Sequence, residues 1–376
     1  MLFLILGAAS CAAPFLSLAA NRIVVGEGVA LWRAAPVQHS APALFLLGLG
    51  LLLGLLQSRP VLRVAGAVLS LAGLFWLLSM GAAALLADAG RYARVSPAAG
   101  FWCLLVICAL LLADALSQLQ PGPRTRAAAL ALTLLCVAGL LKAGLLSDLS
   151  IAQEFAPRKA AVLDAFIRHL WLAFGSLGLA ALIGLPLGVL CHRHSRLREA
   201  LLPLLSFLQT IPSLAMFGIM IPLLGWIGTQ FPAAQAIGIA GIGFAPAFLA
   251  LVLYSLLPVV ANTVAGLESI PPAVRDAARG IGMTTWQRLF RIEIPLGLPV
   301  ILTGLRIVLV QNTGLAVIAG LIGGGGFGTF VFQGLNQTAT DLILLGALPT
   351  VALAMVAAIV MDILIEITQP QRGSET

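Results

Sequence analysis

Runs of roughly 20 consecutive apolar residues recur along this 376-residue chain, and they leave one class of fold open. The runs are continuously apolar rather than alternating, which excludes a transmembrane β-barrel. They must be helices, because backbone groups in lipid have to bond within their own segment. Candidate spans fall at 2–20, 41–57, 64–87, 98–117, 127–146, 164–191, 200–224, 235–262, 296–321 and 342–366. At 60% hydrophobic residues, the chain has too little polar surface for a soluble domain. The predicted fold is an all-α integral membrane bundle of about ten helices.

The net charge of +7 reads as topology rather than as nucleic-acid affinity. With the amino terminus inside, twelve of the 21 Lys and Arg residues fall in inner segments and six in outer ones. The bias is clearest after residue 160, where the outer segments 225–234 and 322–341 carry no basic residue. The expected location is a bacterial inner membrane, crossed many times. The opening MLFLILGAASCAAPFLSLAA reads either as a signal peptide ending near Ala19 or as an uncleaved first span. The missing basic n-region favours the span. The five cysteines lie in or beside apolar runs without a CxxC pair and read as small buried residues.

Texture divides the chain. Residues 1–150 are rich in Leu and Ala and carry no motif, so their role is open. Residues 160–366 hold nearly every patterned feature, which places the boundary within 146–164. No internal repeat of the kind found in secondary transporters stands out.

The most informative stretch is RDAARGIGMTTWQRLFRIEIPLGLP, 275–299, with four arginines between two apolar runs. Ser269-Ile-Pro-Pro fits a helix start. Residues Ala273 to Arg279 read as a short helix, stopped by Gly280 and Gly282. Thr284 and Gln287 have the spacing of a capping box that starts a second helix. That helix puts Trp286, Leu289, Phe290 and Glu293 on one face, with Arg288 and Arg291 pointing away. On physical grounds the segment is either a docking element or an interfacial loop resting on lipid headgroups.

The spacing here resembles the EAA loop of ABC importer permeases. Asp276-Ala277-Ala278, three residues, Gly282, nine residues and then Ile292-x-Ile294-Pro295 reproduce that pattern, with Asp for Glu and Ile for Leu. The stretches HLWLAFGSLGLAALIGLPLGVL (169–190), QTIPSLAMFG (209–218), LYSLLPVVANT (253–263) and LIGGGGFG (321–328) are similar to permeases of osmoprotectant uptake systems. The resemblance covers a little over half of the chain. It implies a five-span permease domain at 160–366 with a coupling loop at 268–295. Asp276, Ala277, Ala278, Gly282, Thr284, Trp286, Ile292 and Pro295 would then face a cytoplasmic ATPase. It also implies a second permease subunit, identical or a paralogue, and an external substrate-binding protein. The implied cargo is a quaternary amine such as glycine betaine or choline. ATP would be used by the partner, with no cofactor on this chain.

Other polar features mark the pathway or its gates. Gln209, Thr210, Pro212 and Ser213 interrupt an apolar run, as in the discontinuous helices of transporters, or simply kink it. Arg306 lies in mid-span, where an arginine costs about 2.5–3.5 kcal/mol on insertion scales, so it should face protein or water. It would line the pathway, sit at a gate, or bond a neighbouring helix. Gln311 and Asn312 make the same span polar. Gly323 and Gly324, within GGGGFG, suit a tight turn near an outer gate or close packing. The run lacks the Lys and Ser/Thr of a phosphate loop. Asp114, Lys142, Asp362 and Glu366 sit near span ends and should snorkel. His192 and His194 form an HxH without the further ligands of a metal site. Two other classes remain for comparison. An ion-coupled secondary transporter predicts intramembrane carboxylates and repeated halves. A membrane enzyme predicts acid or histidine pairs in an outer loop.

Overall fold

The computed structural model describes residues 1–369 other than 23, 57, 58 and 237. The carboxyl-terminal Arg372 and the end of the predicted 41–57 span lie outside the described residues. Two compact units divide the chain, Met1–Arg158 and Lys159–Thr376. Among the described residues, eight helical runs are long and apolar enough to cross a membrane, rather than about ten.

In the first unit the helices are α1 (Leu2–Ser10), α2 (Val37–Leu53), α3 (Pro60–Ala87), α4 (Ala99–Leu119), α5 (Pro123–Lys142) and α6 (Ser150–Phe155). The predicted span at 2–20 is not one helix. α1 has nine residues, well short of the roughly 20 that hydrocarbon requires. Pro14 follows, and proline disfavours helix in the residue before it. Residues Leu16–Ala19 then form a strand, β1. β1 pairs antiparallel with β2 (Glu27–Val29) and β3 (Arg94–Pro97), in the order β2-β1-β3. This small sheet departs from the all-α expectation. The 41–57 run forms α2, of 17 residues. α2, α3 and α4 pack around Leu47, Leu74, Leu77, Phe101 and Leu104.

One carboxylate organises the loops around the sheet. Glu154 of α6 is 2% exposed and faces three arginines. Arg94 Nη1 donates to Oε1 at 2.7 Å, Arg158 Nη1 to Oε2 at 2.5 Å, and Arg22 Nε lies 3.2 Å from Oε1. These arginines come from three segments that are far apart in sequence. A second ion pair, Arg63 with Asp114, joins α3 to α4. Asp114 therefore does not snorkel alone, because the buried Arg63 guanidinium reaches it. α5 has no buried residue.

The second unit contains α7 (Lys159–Leu170), a π-helical turn at Trp171–Gly175, α8 (Ser176–Arg193), α9 (Ser195–Thr210) and α10 (Ser213–Gln230). There follow α11 (Pro232–Ala236), α12 (Phe244–Glu268), α13 (Pro272–Gly280), α14 (Thr285–Arg288), α15 (Ile294–Leu315), α16 (Gly328–Asn336) and α17 (Thr340–Thr368). The predicted span at 200–224 is divided at Ile211–Pro212 into α9 and α10. The predicted 235–262 span starts later, at Phe244, after a glycine-rich turn.

α12 is the centre of this unit, held between α8 and α15. Small residues allow backbones to touch, the usual device for helix packing in lipid. A Cβ on Gly266 would lie 2.8 Å from the Gly297 carbonyl of α15. A Cβ on Gly188 of α8 would lie 2.5 Å from Thr263 Cβ.

Removing the Glu154 carboxylate takes away the group on which three arginines converge. Breaking a buried pair from one side costs about 3–5 kcal/mol. Glu154→Ala should therefore lower the thermal midpoint in detergent markedly. Arg22→Ala, at a side chain 37% exposed, should change stability by under about 1 kcal/mol. Equal effects of the two variants would contradict the organising role of Glu154.

Candidate functional site

The segment 268–295 folds as the capped pair of helices that its sequence predicts. α13 begins with Pro272 in its first turn and ends in a Schellman motif. Met283 N–H donates to the Ala278 carbonyl at 3.1 Å and Gly282 N–H to the Arg279 carbonyl at 2.9 Å. Gly282 supplies the left-handed residue, at φ +81°. Gly280 does not share that task, since it lies inside α13. Thr284 then caps α14. Its N–H donates to Gln287 Oε1 at 2.9 Å, and Gln287 N–H donates to Thr284 Oγ1 at 3.3 Å.

After α14 the chain runs through a π-helical turn, Leu289–Glu293, directly into α15. The extra residue per turn rotates the face of the helix. Leu289 and Glu293 become buried, while Trp286 is 60% and Phe290 61% exposed. The four therefore do not share one face, as regular helical spacing predicts. Arg288 does not simply point away, because its Nε donates to buried Glu293 Oε1 at 2.8 Å. Trp286 and Phe290 stack with centroids 5.9 Å apart. Ile281, 76% exposed, adds to this outward apolar surface.

Three contacts fasten the segment to the spans. Arg275 Nη2 donates to the carbonyls of Leu267 and Ile270, at 3.2 and 3.0 Å, at the end of α12. The Leu267 carbonyl lies in the last turn of α12, where intrahelical donors run out. Arg193, at the end of α8, places its guanidinium 4.7 Å above the Trp286 ring, a cation–π contact. Arg198 of α9 pairs with Glu268 of α12. Asp276, Ala277 and Pro295 are exposed, Ala278 is buried and Ile292 is half-buried.

The polar interruption at 209–213 is a helix break with its own repair. Pro258 has no N–H for the Tyr254 carbonyl four residues earlier in α12. Gln209 Nε2 donates to that carbonyl at 2.6 Å. In return, Tyr254 Oη donates to the Ile211 carbonyl at the break, at 2.6 Å. Beside this clasp lies an open cleft of about 260 Å³, lined by Gln209, Thr210, Pro212, Ser213, Tyr254 and Gln311, among others.

Asn312 is not in that cleft. It is fully buried, and its Nδ2 donates to Ser176 Oγ and Ser255 Oγ, each at 2.8 Å. It thereby ties α15 to α8 and α12. Next to it, buried His169 Nε2 lies 3.0 Å from the Thr313 carbonyl. The glycine run folds over this residue. Gly323, Gly325 and Gly326 have φ of +76°, +81° and +76°, and a Cβ on Gly326 would lie 3.1 Å from His169 Nδ1. Conformation and packing both require glycine at that turn.

Arg306 Nη1 bonds Asp362 Oδ1 of α17 at 2.7 Å. Asp362 therefore pairs in place of snorkelling. Asp114 and Asp362 thus each sit against an arginine. Among the described residues no three His, Cys, Asp or Glu side chains converge as metal ligands. Sequence reasoning missed Arg193, Tyr254, Ser176, Ser255 and His169. A proline four residues after Tyr254 was the one signal that could have pointed to its carbonyl.

With this geometry in view, the class is defined. Residues 181–373 match the family described as the binding-protein-dependent transport system inner membrane component, and the chain belongs to that family. It is a transport permease of the inner membrane, crossing it several times. Residues 1–152 match the N-terminal domain of the ABC transporter permease YehY. Over 189 residues the chain is 47% identical to the osmoprotectant import permease protein OsmW of Salmonella typhimurium, covering 50% of this chain and 83% of that protein. It is 37% identical to the glycine betaine/carnitine/choline permease protein OpuCD of Bacillus subtilis, over 53% of this chain and 81% of that one. The fold of the inward-facing MetNI methionine ABC transporter matches 57% of this chain and 99% of that chain, with a TM-score of 0.51 at 20% identity.

Gly282 tests the turn on its own. A Cβ there meets nothing within 4 Å, so only the positive φ selects glycine. Gly282→Asn, which tolerates the left-handed region, should keep the amides of 278–287 slow in hydrogen exchange. Gly282→Val should speed them, since a left-handed β-branched residue is disfavoured by about 1–2 kcal/mol. The clasp makes a separate prediction. Gln209→Leu leaves the Tyr254 carbonyl unpaired and should destabilise the protein by about 1–3 kcal/mol, read as a lowered thermal midpoint in detergent. A neutral result would assign the repair to another group.

Proposed function

We propose that this chain forms the translocation pathway of an ABC importer for small quaternary amines, such as glycine betaine or choline. It works with a second permease subunit, identical or a paralogue. An external binding protein delivers the solute, and a cytoplasmic ATPase supplies the energy. The observation that carries this reading is the inner-face segment. Exposed Ile281, Trp286 and Phe290 stand on a loop that is capped at both turns and fastened to α8 and α12. An exposed apolar cluster on a rigid mount is suited to a protein groove. Lipid contact alone would not require the Arg275 and Arg193 fastenings. ATP binds to the partner, and this chain contributes Asp276, Ala277, Ala278, Gly282, Thr284, Trp286, Ile292 and Pro295 to the docking region.

The substrate class rests on the relatives. Their names assign osmoprotectants, glycine betaine, carnitine and choline to those proteins, and the shared chemistry is a trimethylammonium group. The cleft at Gln209, Pro212, Ser213 and Gln311 is the proposed pathway element. Its broken helix lets α9 and α10 change their mutual angle without exposing further backbone. Asn312 acts as a positioning residue behind it, and Gly323 and Gly324 belong to the outer turn.

Gly282→Asp tests the docking surface. Asp tolerates the left-handed conformation but adds a charged side chain to an open site. The variant should insert and fold normally, yet lose the ATPase from a mild-detergent affinity purification that retains it with the unaltered protein. Stoichiometric ATPase with the variant would sink this use of the loop. An unaltered protein that purifies alone at low salt would favour ion-coupled transport instead.

A further inference from the structure

The cleft beside the Gln209–Tyr254 clasp is polar but uncharged. None of its eight lining residues is acidic, basic or histidine. Two helices bring side chains to it that are not engaged within the protein. Ser213 is the first residue of α10, and Gln311 lies near the end of α15; both are half-buried. Among the described residues, neither the Ser213 hydroxyl nor the Gln311 carboxamide has a hydrogen-bond partner. The other polar side chains of the lining are occupied. Gln209 gives its Nε2 to the Tyr254 carbonyl, which leaves its Oε1, an acceptor. Thr210 Oγ1 donates to the Phe207 carbonyl at 2.7 Å, and Tyr254 Oη donates to the Ile211 carbonyl. The side-chain donors left at the cleft are therefore one hydroxyl and one carboxamide, from different helices. A polar group without a protein partner in an apolar segment needs water or a solute.

We propose that Ser213 and Gln311 determine specificity within the pathway by donating hydrogen bonds to the accepting end of the solute, a carboxylate or a hydroxyl. The proposal rests on the quaternary-amine reading above and gives the recognition chemistry of that same cleft. A trimethylammonium group has no N–H to donate and no lone pair to accept with, so the two donors suit the opposite end of the molecule. With no charge in the lining, neither a cation nor a zwitterion meets a fixed charge that would trap or repel it. Hydrogen bonds to an ionised acceptor are roughly twice as strong as neutral ones. The pair therefore favours a carboxylate-bearing solute, such as glycine betaine, over hydroxyl-bearing choline.

The experiment uses the complete importer with its binding protein and ATPase. It reads initial uptake of glycine betaine and of choline at saturating solute and binding protein. Ser213→Ala and Gln311→Leu should each lower the ratio of glycine betaine to choline uptake by roughly fivefold, with an unchanged thermal midpoint in detergent. Ser213→Thr, which keeps the hydroxyl, should keep the ratio. Gln311→Glu replaces a donor by a carboxylate and should lower the ratio further while sparing choline. An unchanged ratio in both Ser213→Ala and Gln311→Leu, with both solutes still carried, overturns the proposal and leaves the quaternary-amine reading standing. An equal loss of both solutes with a lowered thermal midpoint also overturns it, by giving the pair a structural role. An unaltered importer that carries neither compound sinks the quaternary-amine reading, and this proposal with it. Access to position 213 is read without solute. Ser213→Cys, made in a chain lacking the five native cysteines, should react with a water-soluble thiol reagent, and no reaction overturns the place of Ser213 in recognition.

Discussion

Lipid offers no hydrogen bonds, so a backbone group freed by a helix break has to find a partner elsewhere in the protein. That constraint explains the core more fully than apolar packing does. Pro258 leaves a carbonyl without its donor, and Gln209 from a different helix supplies one. The break at Ile211–Pro212 leaves another, and Tyr254 answers it. The two helices thus supply each other's missing donors at the break, and a polar cleft lies beside the repair. Asn312 extends the principle to a buried side chain by tying three helices through two serine hydroxyls. The features that make the core polar also make it specific, because each partner must sit within hydrogen-bond reach.

The same logic operates where the chain leaves the membrane. The carbonyls of Leu267, in the last turn of α12, and of Ile270, just beyond it, are taken by Arg275 of the 268–295 segment. The loop and the central helix are thus fastened at a place where either alone would have loose ends. At the other end of the loop, the π-helical turn at Leu289–Glu293 runs into α15 without a break, and the buried Glu293–Arg288 pair braces it. A push on Trp286 or Phe290 therefore reaches α8 through Arg193, α12 through Arg275 and α15 through the backbone itself.

Much of this was legible in the sequence because it is local. The capping box at Thr284, the stop at Gly282 and the proline at 212 act over a few residues, and the structure has each of them. What escaped is long-range. Arg63 and Asp114 are 51 residues apart, and Arg306 and Asp362 are on separate helices, so no local pattern shows either pairing. The three-stranded sheet escaped because its strands are three or four residues long and their partners lie on distant loops. Leu16–Ala19 is as apolar as a span, and composition cannot separate it from the helix before it. The π-helical turn also escaped, since regular periodicity places Trp286 and Glu293 on one face. The first unit carries no local motif for a different reason: its organising group is one glutamate, Glu154, whose arginines lie in three segments far apart in sequence.

Rigid transmission from the inner-face loop to the spans is the central claim, and a distance inside one subunit tests it most directly. Spin labels at Ile281 and Val310, both exposed, would report the separation of the loop from the far part of α15. The measurement is made in the reconstituted importer, without nucleotide and then trapped with ATP and vanadate. A rigid piece predicts that this separation stays the same in both states, while the distance between the Ile281 labels of the two permease subunits shortens. A changed Ile281–Val310 distance, with the spans otherwise still, would show that the loop flexes by itself and would contradict the claim.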